Sequence, residues 1–373
     1  MKQRLPLIDR YITRQLSLFF LFSVGLFSSL GVTLGTVSDL AYKITEYKLP
    51  VAIAILIFGY KIPEYASYAL PISILLSSLI IYGRLNSDRE LVALLSFGIS
   101  FKRIIAPALL FSLLITGITF LFNELIVPAA NYQANLLQNP FISETELNLT
   151  KRDIFYPEYE SSPANDSAKS LKTIYFAEQY QHQSLQRVTV IGLDRGRIEQ
   201  IVTAKLARWN PNQQVWNLTD GELNKINLDT GEIATEDFNH KQLPLSGTIF
   251  KIANEERSPD DMNIRQAQKY LNLIEDSGRK ADLAKFTVRI QQKYAFPFIC
   301  IVFALIGSTL GAKYSGINRS QGFGLCVAIV FIYYLSGFTF GSLGISGILS
   351  PFWAAWIPNL LGSITGIWLL VKR

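Results

Sequence analysis

Five stretches of the chain carry no charged residue at all: 16–38, 65–83, 104–123, 294–312 and 320–371. A helix needs roughly 20 residues to cross a bilayer, so each of the first four predicts one transmembrane helix. The fifth is long enough for two, and its middle, GSLGISGILSP (341–351), has the glycine, serine and proline of a turn. The pattern therefore predicts six spans, three before residue 130 and three after residue 293. Between the second and third spans, SDRELVALLSFGIS (87–100) breaks the apolar run with a different period. Ser87 stands where an N-cap belongs, Asp88 and Glu90 occupy a first turn, and Leu91, Leu94 and Leu95 form an apolar stripe flanked by Val92 and Phe97. Gly98 is placed to stop that helix, which is expected over 87–98.

The long segment between the third and fourth spans reads as β-structure. RIEQIVTAKLARW (197–209) alternates Val202, Ala204 and Leu206 with Thr203 and Lys205, the period of a half-buried strand. KTIYFA (172–177), RVTVIGL (187–193) and VWNL (215–218) add further strands, and NPNQQ (210–214), TDG (219–221) and DTG (229–231) supply turns. Strands at this spacing indicate an antiparallel sandwich or jelly roll. After Pro259, NIRQAQKYLNLIEDSG (263–278) reads as a helix stopped by Gly278, and a second helix from about Ala281 leads into the fourth span. The expected organisation is an N-terminal membrane half (1–130), a β-jelly-roll-like domain (131–262), a helical connector (263–293) and a C-terminal membrane half (294–373). The fold class is thus an α-helical membrane protein of six spans, three and three, with an inserted antiparallel β-domain.

Charge gives this pattern an orientation. With the N-terminus inside, the inner segments hold twelve basic residues against three acids, and the remainder holds 23 basic against 26 acidic residues. Every short loop obeys the positive-inside rule, so the excess of +6 reports topology and removes the case for a nucleic-acid partner. The first apolar run exceeds the h-region of a signal peptide and is expected to be a retained helix. Cys300 and Cys326 fall inside spans and read as small buried hydrophobes. His182 and His240 have no partner at ligand spacing, so no metal and no cofactor is expected. GSTLGAKY (307–314) has Ala312 and Tyr314 where a phosphate-binding loop needs glycine and serine or threonine. The chain is therefore expected not to be an enzyme. Every span centre lacks ionisable residues, which argues against an ion-driven secondary transporter.

Five pieces, in order, resemble one known family: IDRYITRQ (8–15), GRLNSDRELVALLSFGIS (83–100), WNLTDGE (216–222), KYAFPFICIVFALIGSTLG (293–311) and SPFWAAWIPNLLGS (350–363). Together they are similar to the LptF/LptG permeases of the lipopolysaccharide-export ABC transporter. The resemblance implies a bacterial inner-membrane subunit with cytoplasmic termini and a periplasmic β-domain. Its implied partners are a cytoplasmic ATPase dimer that binds the ATP, a second such permease, lipopolysaccharide and periplasmic jelly-roll bridge proteins. It also implies that 87–98 is the coupling helix, with Glu90 making a polar contact, Leu91, Leu94 and Leu95 filling a groove of the ATPase, and Gly98 ending the helix. The first and fifth spans would form lateral gates. Lys43 and Lys48, just beyond the first span, are the candidate contacts for the anionic glycolipid, with interfacial anchoring as the alternative role. Lys61 and Glu64, one helical turn apart, are expected to pair with each other. Glu124, near the outer end of the third span, and Tyr333 and Tyr334 in the fifth are further positions of interest. The alternative functions are another ABC-type lipid or lipoprotein exporter and a membrane-anchored binding or scaffold protein.

Overall fold

The structure, a computed structural model, describes residues 7–138, 152–161, 169–181, 184–194, 196–210, 213, 215–228, 230–245, 261–275, 280–313 and 319–372. Lys2, Arg4, His182, Pro259, Gly278, Tyr314 and Arg373 lie outside the described residues. The chain divides into two compact units. The first joins Met1–Phe141, Pro259–Ile264 and Ala284–Arg373, and the second joins Ile142–Ser258 and Arg265–Leu283. The expected boundary at 131 therefore falls early, because the third span continues as helix to Gln138. The expected connector is shared between the units at Ala284.

Among the described residues, six helices are long and apolar enough to cross a membrane: Leu7–Glu46, Val51–Ser87, Phe101–Gln138, Leu283–Lys313, Gln321–Ile345 and Pro351–Val371. The first is α1 (Leu7–Val32), a π turn (Thr33–Val37) and α2 (Ser38–Glu46) in series. The second is α3 (Val51–Ser87), followed by the short α4 (Glu90–Ser96). The third is α5 (Phe101–Leu121), a π turn (Phe122–Ile126) and α6 (Val127–Gln138). At 1.5 Å per residue the 40 residues of the first span reach about 60 Å, twice the hydrocarbon thickness, so its apolar centre is continued by amphipathic helix. Leu40, Leu49, Ala54, Ile57 and Ala134 bury one another at that extended end.

The second and fourth spans form the centre of the unit. Their apolar windows are 78% and 72% buried, against 17% and 6% in the first and fifth spans. The contact is made by backbone approach. On α9 (Ile299–Lys313) Gly307 and Gly311 face α3 so closely that a Cβ at Gly311 would stand 2.6 Å from the Leu79 carbonyl oxygen, and one at Gly307 2.9 Å from that of Leu75. GSTLG thus serves as a small-xxx-small seam between helices, which is what its glycines are for. Phe303, Ala304, Leu75 and Leu79 fill the core beside it. In the first span, Gly31 and Gly35 make room for the ring of Tyr65, whereas Gly25 meets nothing within 4 Å.

The second unit contains a six-stranded antiparallel sheet ordered β1 to β6, in which sequence neighbours are sheet neighbours. Its strands are Arg152–Ser161, Lys169–Gln181, Ser184–Asp194, Arg197–Asn210, Val215–Ile226 and Ile233–Leu243. Register aligns Tyr156, Tyr175, Val190, Val202 and Leu223 in one row across five strands, all buried. The Tyr175 ring lies 5.9 Å from Tyr156 and 5.5 Å from Trp216, so cross-strand aromatic pairs close one face.

One expected turn is corrected here. TDG (219–221) does not turn the chain; β5 runs through it to Ile226. Asp220 takes a positive φ of 52° inside the strand, and Gly221 is required because a Cβ there would overlap the Thr203 carbonyl oxygen. The turn after Asn227 does form, with Gly231 at φ 73° and its N–H donating to the Asn227 carbonyl at 2.8 Å. β6 (IATEDFNHKQL) escapes the alternation test because its side chains are nearly all exposed.

Candidate functional site

The amphipathic segment between the second and third spans forms, but its boundaries and its face differ from the expectation. Ser87 is the last residue of α3, its hydroxyl donates to the Gly83 carbonyl at 3.0 Å, and the N-cap position of α4 falls on Arg89. The bend comes from Arg89, which adopts the left-handed conformation (φ 60°, ψ 6°) and separates α3 from α4. At the other end Gly98 takes φ 80°, and the N–H groups of Gly98 and Ile99 donate to Leu95 and Leu94. A left-handed glycine with these reversed bonds is how helices commonly stop, and here the polypeptide turns into the third span.

The face that α4 leaves open is the main correction. Leu91, expected to fill a partner's groove, is 0% exposed. It packs among Ile12 and Leu16 of the first span, Ile81, Tyr82 and Leu85 of the second, and Ile104, Ile105 and Ala108 of the third. Leu94 is half-buried on the same cluster. Burying a leucine in this way stabilises by about 1.5–3 kcal/mol, so Leu91 holds α4 to its own chain. The exposed apolar side chains are Val92 (55%), Leu95 (37%) and Phe97 (84%). Leu95 belonged to the expected stripe, whereas Val92 and Phe97 were only its flanks. An apolar patch around an 84%-exposed phenylalanine is the kind of surface that marks an interaction site.

Polar contacts hold the same region. Glu90 accepts hydrogen bonds from the Tyr11 hydroxyl at 3.2 Å on both carboxylate oxygens. Arg103, two residues into α5, pairs with Asp9 of the first span at 2.7 Å, and Arg84 donates to Gln15. The Tyr82 hydroxyl donates to the Ile104 carbonyl at 2.9 Å. Three spans thus meet at the base of α4, and the N-terminal turns of the first span take part in every charged contact but one, Arg84 with Asp88 at 4.0 Å. IDRYITRQ carries Asp9, Tyr11 and Gln15, so the function of that motif becomes visible only with the tertiary contacts.

The other candidate residues separate. Lys43 is held by Asp39 at 2.6 Å, one turn back on α2. Lys48 is exposed in the turn after α2, at a positive φ of 51°. Lys61 and Glu64 pair at 2.9 Å, as one helical turn requires. Glu124, in a π turn, accepts the backbone N–H of Ile264 at 2.9 Å and so satisfies the start of a helix. Tyr333 donates to Asn359 at 2.8 Å and packs against Phe303. Cys300 and Cys326 are buried free thiols, and among the described residues no three His, Cys, Asp or Glu side chains converge on a metal-sized site.

Six spans, a meander of strands inserted after the third and a short helix exposed between the second and third define an unusual plan. The family model for the lipopolysaccharide export system permease LptF/LptG matches residues 10–372 of this chain. The chain belongs to the LptF/LptG family. No curated protein matches it. LptF/LptG membership makes the chain a lipopolysaccharide-export permease, a transport subunit and a multi-pass inner-membrane protein that works with a partner permease and an ATPase.

Proposed function

We propose that this LptF/LptG permease docks on a cytoplasmic ATPase dimer through α4, with Val92, Leu95 and Phe97 entering a groove of the partner. Both termini are then cytoplasmic and the sheet is periplasmic, a topology that the distribution of lysine and arginine supports. The observation that carries this reading is the exposure of Phe97, at 84%, at the C-terminal end of a helix that Leu91 anchors to the chain's own spans. A helix resting on the bilayer surface would present lysine or arginine on its polar face, and α4 (ELVALLS) has none. Glu90 sits at the docking surface as the tie to Tyr11, and Leu94 supports the exposed face from below.

Closure of the nucleotide-bound ATPase would move α4 and, with it, the spans meeting at its base. The first and fifth spans, whose apolar faces stay open, are the proposed gates through which the glycolipid enters beside the partner permease. The β-domain then passes it to the periplasmic bridge. Lys48 is better placed than Lys43 to meet a head-group phosphate, because Lys43 is engaged by Asp39.

Copurification in mild detergent tests the docking. Phe97→Asp and Leu95→Asp are expected to abolish retention of the ATPase while leaving the permease folded. Loss on Leu91→Ala alone, with both aspartate variants still binding, would show that a different surface carries the contact.

A further inference from the structure

The backbone joins α4 directly to two of the spans around it. Asp88 and Arg89 link it to the second span, and residues 97–100 link it to the third. The first span joins the second through residues 47–50, at the opposite end of α3 from α4. Motion of α4 therefore pulls the second and third spans through the chain itself, whereas the base of the first span follows through side chains alone.

Those side chains lie on two neighbouring stripes at the start of α1. Asp9, Ile12 and Leu16 recur at helical spacing on one stripe, and Tyr11 and Gln15, four residues apart, form the other. Asp9 is 9% exposed, and a carboxylate so buried requires a partner, which Arg103 of α5 supplies at 2.7 Å. The Tyr11 hydroxyl meets both carboxylate oxygens of Glu90 at 3.2 Å, and Gln15 accepts from Arg84 of α3. Ile12 and Leu16 belong to the buried cluster that holds Leu91, and the fifth span contributes no member to that cluster. The first span is thus tied to α4 itself and to the helices on both sides of it.

Farther along, the same span is seated a second time. Gly31 and Gly35 make room for the Tyr65 ring, and Leu40 is buried among Leu49, Ala54, Ile57 and Ala134. Between the two seats Leu18, Leu21, Phe22 and Leu30 stay exposed, and 17% of the apolar window is buried. A helix held at its base and near its far end, and open between, tilts when its base is displaced.

We propose that Asp9, Tyr11 and Gln15 are positioning residues for transport, carrying the ATPase stroke from α4 into the first span, which tilts about its seat on Tyr65. The inference rests on the docking reading above and adds the link that makes docking move this span. With the ties intact, α4 and the base of α1 move as one body. With the ties cut, α4 still moves the second and third spans, the first lags, and hydrolysis proceeds without extraction of lipopolysaccharide.

The test uses the full chain with its partner permease and ATPase in proteoliposomes. Asp9→Asn, Tyr11→Phe and Gln15→Leu are combined, which removes the polar ties and leaves Ile12 and Leu16 against Leu91. The variant is expected to retain the ATPase on copurification, while lipopolysaccharide extracted per ATP hydrolysed falls at least about fivefold, the lower end of ordinary coupling between sites. Spin labels at Leu18→Cys or Leu30→Cys, each paired with Leu121→Cys on the outer end of α5, read the tilt; all three positions are exposed and the native thiols are buried. Leu18 lies about 26 Å and Leu30 about 8 Å along the helix from Gly35, so nucleotide binding should shift the Leu18 label roughly three times as far. That shift should collapse in the triple variant. Unchanged extraction per ATP, or equal shifts at Leu18 and Leu30, overturns the inference, and loss of the ATPase from the triple variant overturns it by assigning these residues to docking. Asp9→Arg alone is expected to uncouple and its combination with Arg103→Asp to recover, which a variant that merely unfolds does not do; no recovery removes Asp9 from the link. Phe97→Asp separates the two readings: if it retains the ATPase, docking through α4 fails, whatever the triple variant does.

Discussion

Replacing Gly311 by alanine tests the seam on which the helical unit is built. The new Cβ would lie 2.6 Å from the Leu79 carbonyl oxygen, 3.0 Å from the Gly83 nitrogen and 3.2 Å from the Tyr82 Cβ. The first two atoms are helix backbone and cannot rotate away, so relief requires α9 and α3 to separate by roughly 0.8 Å. A gap of that size forfeits a quarter to a half of each facing contact. The side chains affected are fully buried ones, Leu75, Leu79, Phe303 and Ala304. Overpacking of this kind costs about 1–3 kcal/mol. Alanine also favours helix over glycine, and Gly117→Ala corrects for that, because Gly117 lies in α5 with nothing within 4 Å. The difference between the two variants therefore isolates the overlap. Thermal unfolding of the purified chain in mild detergent, followed by tryptophan fluorescence at one scan rate, should place Gly311→Ala roughly 2–12 °C below Gly117→Ala, at about 2–4 °C per kcal/mol. Equal midpoints would mean that the second and fourth spans are not held in backbone contact.

Arg103→Asp should destabilise the chain, and adding Asp9→Arg should restore part of the loss, with a coupling of about 1 kcal/mol because Arg103 is partly solvated. A double-mutant cycle with no coupling would remove the proposed tie between the first and third spans. Gly221→Val should loosen the β4–β5 pairing by about 1–3 kcal/mol, since its side chain meets the Thr203 carbonyl and Phe238. Limited proteolysis reads that effect as faster cleavage in 197–226, and wild-type resistance would contradict it. The Glu236 carboxyl is held below its ordinary range by the hydrogen bond and charge of Lys241. A lowered folded value means that the contribution is present above the ordinary carboxylate range of about 4.3 and is lost as pH falls through the folded value. NMR titration should show this depression, with return to the ordinary range in Lys241→Met; no change in that variant would assign the shift elsewhere.

Much of the architecture is a local property and was legible as such. Uncharged runs of bilayer length mark all six spans, because an unpaired charge in hydrocarbon is costly wherever it lies. Alternation marks β3 and β4, whose inward residues Val188, Val190, Val202 and Ala204 are buried. The stop at Gly98 and the turn at Gly231 were equally plain, since only a few residues accept positive φ there. The charged β6 had no such signal, because a strand with both faces exposed loses the alternation that reveals one. TDG misled for a related reason: glycine permits a turn, but at 221 it answers the approach of a neighbouring strand.

The site shows the same division. A stripe of leucines on a two-turn helix is visible in sequence, yet the direction it faces depends on Arg89 bending the chain and on Tyr11 and Leu91 seating it against three spans. That arrangement turned Leu91 inward and left Val92 and Phe97 outside. The seam at Gly307 and Gly311 likewise arises from distant segments brought together, whereas the match of Lys43 with Asp39 is local to one turn of α2. Periodicity and charge act along the chain and can be read from it, whereas the burial of a particular side chain is fixed by what other segments leave beside it.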